Sequence, residues 1–135
     1  MKYEKLREKQ TKEVDNFPMI IAWSKSSLEK GIKEKGWNED DVCSIGYGCY
    51  TLKKDKNDFI ELLKRNKEER LEFAKDFDNL VDMICYEMFN HEYQICIDEE
   101  TTTENILSTI DEEIQKYETF DDAWKIAESK ICKHK

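Results

Sequence analysis

Phe77-Asp78-Asn79-Leu80-Val81-Asp82-Met83-Ile84-Cys85-Tyr86-Glu87-Met88-Phe89 sets Phe77, Leu80, Val81, Ile84, Cys85, Met88 and Phe89 at steps of three and four. At 3.6 residues per turn this spacing gathers the apolar groups on one side of a helix, so the stretch predicts the central core helix, over 77 to 90. Just downstream, Asn90-His91-Glu92-Tyr93 runs into Gln94-Ile95-Cys96-Ile97, which predicts a strand at 93 to 97. Upstream, Met19-Ile20-Ile21-Ala22-Trp23 follows the breaker Pro18 and predicts a buried strand near 18 to 23. Val42 to Leu52 has β character interrupted by Gly46 and Gly48, which predicts a strand at 44 to 53 with a bulge or bend. The expected fold is therefore α+β: a sheet of about three strands covered by the 77 to 90 helix, with a helical, acidic C-terminal third.

The remaining segments read as helices. Residues 2 to 14 are mostly charged around Tyr3, Leu6 and Val14, a surface helix ended by Asp15-Asn16-Phe17-Pro18. Ser24, Ser26 and Ser27 offer N-caps for a helix carrying Leu28 and Ile32, with Gly36 in the C-cap position. A helix beginning at Asn57 carries Phe59, Ile60, Leu62 and Leu63, then has no apolar residue from Lys64 to Arg70, which predicts protrusion or a break. Thr101 with Glu104 and Thr109 with Glu112 have capping-box spacing ahead of Ile106, Leu107, Ile110 and Ile114. Thr119 with Asp122 opens the last helix, striped by Phe120, Ala123, Trp124, Ala127 and Ile131. One proline and no internal repeat predict a single domain over 1–135.

The 135 residues hold 22 Lys and Arg against 31 Asp and Glu, a net charge of −9, and 39% hydrophobic residues, enough to build a core. No apolar run approaches the roughly 20 residues that span a bilayer, and the start of the chain lacks a signal-peptide pattern, so a cytoplasmic protein is expected. Five scattered cysteines without a CxxC spacing argue against a disulfide framework. Ten acids, Asp98, Glu99, Glu100, Glu104, Asp111, Glu112, Glu113, Glu118, Asp121 and Asp122, face the single base Lys116 between 98 and 122, which accounts for the whole net charge. Such a face repels nucleic acid, or mimics it before the basic groove of a protein that binds it.

Two clusters bear on chemistry. Glu87 and His91 stand four apart, on one side of a helix, with Glu92 and Tyr93 beside them; a buried histidine fixing the end of the helix is the structural alternative. HExxH spacing is absent, and no metal or cofactor is expected. Gly46-Tyr47-Gly48 would let a ligand or a neighbouring backbone approach closely, with Tyr47 as a stacking face, and a bulge in a small sheet is the alternative. An exposed Trp23 or Trp37 would offer a dimer surface.

Asn16-Phe17-Pro18-Met19 with Ala22, Cys43-Ser44-Ile45-Gly46-Tyr47-Gly48, Asp82-Met83 with Tyr86-Glu87, and above all Asn90-His91-Glu92-Tyr93 resemble a family of small uncharacterised proteins of clostridia, related Gram-positive bacteria and their phages. The resemblance implies a compact α+β domain in a phage or mobile-element setting and carries no reaction. It departs at Gly48-Cys49, where a Gly-Gly pair would be expected.

Three readings of function follow. The first is a non-enzymatic interaction protein that binds a host protein through the acidic face, such as a phage inhibitor of a CRISPR nuclease, with no direct contact to nucleic acid or membrane. The second is a small-molecule binder for a nucleotide, in which Tyr47, Tyr50 and Tyr93 stack on the base and Lys53 or Arg65 meets phosphate beside Gly46 and Gly48. The third is an enzyme using Glu87, His91 and Glu92 in acid-base or metal chemistry.

Overall fold

A computed structural model describes residues 2–90 and 99–132, the side chains of 99–102 and 132 excepted. It is an α+β chain: a three-stranded antiparallel sheet and, among the described residues, seven α-helices. The strands are β1 (Ile20–Ile21), β2 (Val42–Gly46) and β3 (Cys49–Leu52). The helices are α1 (Lys2–Asp15), α2 (Lys25–Lys35), α3 (Lys56–Phe73), α4 (Phe77–Asn90), α5 (Glu99–Leu107), α6 (Glu112–Gln115) and α7 (Phe120–Cys132). Contacts divide them into two compact units, Thr11–Arg65 and a second formed by Met1–Gln10 with Asn66–Lys135.

The first unit is the sheet with α2. Strand order is β1-β3-β2, with Ile20 opposite Tyr50 and Val42 opposite Leu52. Ile20 and Ala22 are buried with Ile32 of α2, while Leu28, Trp37, Val42 and Tyr50 pack around them. The helix laid on β1 is thus α2, and the 77 to 90 helix expected in that role forms the other unit's core. Proximity in sequence explains the difference: a short turn led by Ser24 folds α2 straight back onto β1. Ser24 caps α2 through the Ser27 N–H, and the Ser27 hydroxyl returns to the Ser24 main chain. Gly36 closes the helix in the left-handed conformation, as its position in the sequence predicts.

In this unit β1 is not buried on both faces. Ile21 is 66% and Trp23 80% exposed, because a two-residue edge strand hides alternate side chains only. The expected single strand at 44 to 53 is instead a hairpin of β2 and β3, with its bulge between Ser44 and Gly46.

The second unit is helical. Leu80, Met83, Ile84 and Met88 of α4 are at most 1% exposed and pack with Ala123, Ala127 and Ile131 of α7. Each large apolar side chain removed from water contributes roughly 1.5–3 kcal/mol, so α4 dominates this core. Ile106, Ile110 and Ile114 complete it from α5 and α6.

α3 continues unbroken through its apolar-poor middle. Polar bonds fill the gap: Gln10 donates from Nε2 to the buried Asn66 carbonyl at 2.8 Å, and Arg70 donates to Gln10 Oε1 at 3.1 Å. Neither expected threonine cap is used. Thr101 lies inside α5, and the Thr109 hydroxyl donates back to the Ile106 carbonyl while Asp111 stands at the start of α6. The strand expected at 93 to 97 lies outside the described residues.

Candidate functional site

The least expected geometry is at the tip of the hairpin. Gly46 pairs with Cys49, so Tyr47 and Gly48 alone make the turn, with φ of 52° and 74°. Two successive positive φ values are the signature of a type I′ turn, whose twist matches that of the flanking strands. Asparagine and glycine are the usual occupants, so a tyrosine at the first position is held in a conformation that costs of order 1 kcal/mol. Its ring is 94% exposed. Gly48 is required for a second reason: a Cβ there would stand 2.8 Å from Trp23 Cζ3 and 3.0 Å from the Ala22 carbonyl oxygen. The Trp23 ring therefore lies along the backbone of Gly48, and the Ala22 N–H donates to the Gly48 carbonyl at 2.8 Å. Ile21 and Trp23, two apart on β1 and its extension, leave their side chains in solvent beside this turn. Three large apolar side chains thus gather at one end of the sheet, one of them on a strained residue.

Glu87 sits in quite different surroundings. It is 2% exposed on α4 and accepts from the Tyr3 hydroxyl and from Arg7 Nη1, each at 2.9 Å. The Tyr3 main-chain N–H donates to Asp82 at 2.8 Å, and the Arg7 guanidinium lies over the Tyr86 ring. Burial first, and then the Glu87 charge, push the Tyr3 phenol well above the ordinary tyrosine range, so it remains a donor. The arrangement fastens the first turns of α1 to α4. Glu87 is a structural carboxylate within the described residues, and its expected companions His91, Glu92 and Tyr93 lie outside them.

A single family model covers residues 2–130, and so runs through both units. The chain belongs to the DUF7659 family, a family of unknown function. No curated protein and no solved structure matches it.

In this DUF7659 chain the other candidate residues lie apart. Tyr50 is spent in the small core against Ile20, whereas Tyr47 projects from the turn. Lys53 follows the far end of β3, four strand residues or roughly 13 Å from the turn, and Arg65 pairs with Glu13 at 3.1 Å. The phosphate and stacking groups of the nucleotide reading therefore do not converge among the described residues.

The acidic run divides by role. Asp111 takes both guanidinium nitrogens Nε and Nη2 of Arg70, at 2.8 and 3.0 Å, which raises the pKa of Arg70 and closes α3 against the start of α6. Glu113 pairs with Lys67 at 2.6 Å. Glu112, Glu113, Asp121 and Asp122 occupy the first turns of α6 and α7, where negative charge offsets the helix dipole. Glu104, Glu112, Glu113, Glu118, Asp121 and Asp122 are exposed, Glu113 while paired with Lys67. Asp98 and the side chains of Glu99 and Glu100 lie outside the described residues.

Tyr47 and Trp23 stand out in the sequence, whereas the exposure of Ile21 and the contact that joins Trp23 to the turn emerge in the structure. The alternation Ile20, Ile21, Ala22, Trp23 carried that signal: an edge strand buries its even positions and leaves the odd ones in water. No group of three or more metal-ligating side chains forms among the described residues, and none of the described helices is long and apolar enough to cross a membrane.

Proposed function

We propose that this chain is a non-enzymatic binding protein whose partner is another protein, and that Ile21, Trp23 and Tyr47 form the contact surface. One observation carries the reading: Tyr47 is almost wholly exposed on a residue whose backbone conformation is unfavourable for it. A hairpin needs no aromatic group at this position, and glycine or asparagine would make a more stable turn. Retained strain of this kind is characteristic of sites that act on something outside the fold. Exposed tryptophan and tyrosine supply large, rigid contact area, the composition of interaction hot spots.

The charge layout supports the same unit. Thr11 to Arg65 contains ten bases and ten acids, so the aromatic surface belongs to a neutral part of an otherwise acidic chain. Depletion of net charge at a contact favours association with an apolar patch on a partner.

The test is affinity capture of protein partners by the full chain and by its Trp23→Ser and Tyr47→Ser variants. Loss of a captured protein with both variants, at unchanged thermal stability, is the expected outcome. Equal capture by all three chains would contradict it.

A second reading keeps the acidic run as the contact, favoured by the six exposed acids from Glu104 to Asp122. Its partner class is a basic, nucleic-acid-binding host protein, and a phage-encoded inhibitor of a defence nuclease is the form suggested by the sequence resemblance. Reversing these six acids to lysine abolishes capture on this reading and leaves it intact on the first.

A further inference from the structure

The order β1-β3-β2 leaves β1 at an edge of the sheet. Ala22 donates to Gly48 at 2.8 Å, which fixes the phase of the ladder: the main-chain groups of Ile20 and Ala22 turn toward β3. Those of Ile21, between them, turn the other way, where no described strand meets them. A cleft of about 510 Å³ lies between this strand and α2, lined by Met19, Ile21, Ser27, Lys30, Glu34 and Lys35 among others. Its floor is closed by an unusually near approach of α2 to β1, since a Cβ on Gly31 would stand 2.6 Å from Ile20 Cγ2.

These features have the form of a strand-addition site. Unpaired among the described residues, this edge offers one donor and one acceptor at Ile21, and α2 across the cleft supplies a polar wall of Ser27, Lys30, Glu34 and Lys35 for alternate side chains of an added strand. We propose that an extended peptide segment of the protein partner docks in this cleft as an added strand on β1. The proposal rests on the protein-binding reading above and adds the form of the partner. Lys30 and Lys35 outnumber Glu34 on the α2 wall, so the segment carries an acidic residue on the side that faces α2. Ile21 serves both parts: its main chain meets the peptide and its exposed side chain continues to Trp23.

The experiment pans the immobilised full-length chain with a display library of short random linear peptides. Retained peptides are then titrated onto wild type and onto a Lys30→Glu, Lys35→Glu double variant, with amide hydrogen exchange recorded for each complex. The expected result is enrichment of sequences bearing an acid, affinity about tenfold weaker for the double variant, and slowed exchange at the Ile21 N–H. Lys30 is exposed on α2, whereas Lys35 also lies over the Trp37 ring at 5.8 Å, so a Lys30→Glu single variant of wild-type thermal midpoint is titrated beside the double variant and is expected to weaken binding in the same direction. No enrichment, or peptides that bind both chains equally with Ile21 exchange unchanged, would overturn the proposal. So would protection of Ile21 in the free chain by a second copy of it, seen as a concentration-dependent dimer in sedimentation. If peptides fail while Trp23→Ser and Tyr47→Ser still abolish protein capture, strand addition falls and the binding reading stands.

Discussion

The Tyr3 hydroxyl donates to Glu87 Oε1 at 2.9 Å, joining α1 to α4 across 84 positions of sequence. Both groups are buried, so each would lose its partner in a place water does not reach. Tyr3→Phe is expected to cost about 1–2 kcal/mol, and Glu87→Ala about 3 kcal/mol, since the latter strands the Tyr3 hydroxyl and frees Arg7. Chemical denaturation of the two variants checks the order.

Alkaline pH tests the same pair through its sign. The folded chain holds the Tyr3 phenol above its ordinary range, so the unfolded chain releases that proton first. The stability contributed by this group is present in full below the ordinary tyrosine pKa of about 10 and declines as pH rises beyond it. Wild type should therefore lose stability between about pH 9.5 and 11 more steeply than Tyr3→Phe. Parallel loss in both chains would show that other groups govern the alkaline limb.

Arg70 and Asp111 form a two-pronged pair, half sheltered from water. Arg70→Lys keeps the charge and loses the fork, so a destabilisation of about 1–2 kcal/mol is expected. A double-mutant cycle with Asp111→Asn should return a coupling energy of similar size, and a value near zero would remove this pair as a clamp on α3.

Glycine substitutions probe the sheet unit. Gly31→Ala drives a methyl group into Ile20, and Gly48→Ala meets both Trp23 and an unfavourable φ. Each is expected to cost about 1–3 kcal/mol, visible as a lowered thermal midpoint.

Much of this was legible in the sequence where burial is periodic. The stripe from Phe77 to Phe89 defined α4, Phe120 to Ile131 defined α7, and Ser24 with Gly36 bounded α2, because local capping and a 3.6-residue repeat act without distant help. The middle of α3 was not legible: no apolar residue marks it, and the groups that hold it, Gln10 and Asp111, come from remote segments. The turn at Tyr47-Gly48 was hidden for another reason. Its first residue lacks the chemistry that announces a type I′ turn, so two strands looked like one bent strand. Sequence spacing set Glu87 beside His91, whereas the partners Glu87 has among the described residues, Arg7 and Tyr3, lie 80 and 84 positions away in α1.

Tyr47→Asn, measured for stability and for partner capture on the same preparation, tests the role of Tyr47 in binding most directly. Asparagine suits the left-handed turn position, so the variant should be more stable by about 1 kcal/mol. If Tyr47 is a contact residue, this better-folded chain captures its protein partner poorly. A variant that is stabilised and still captures the partner at the wild-type level would contradict the claim that Tyr47 is kept for binding.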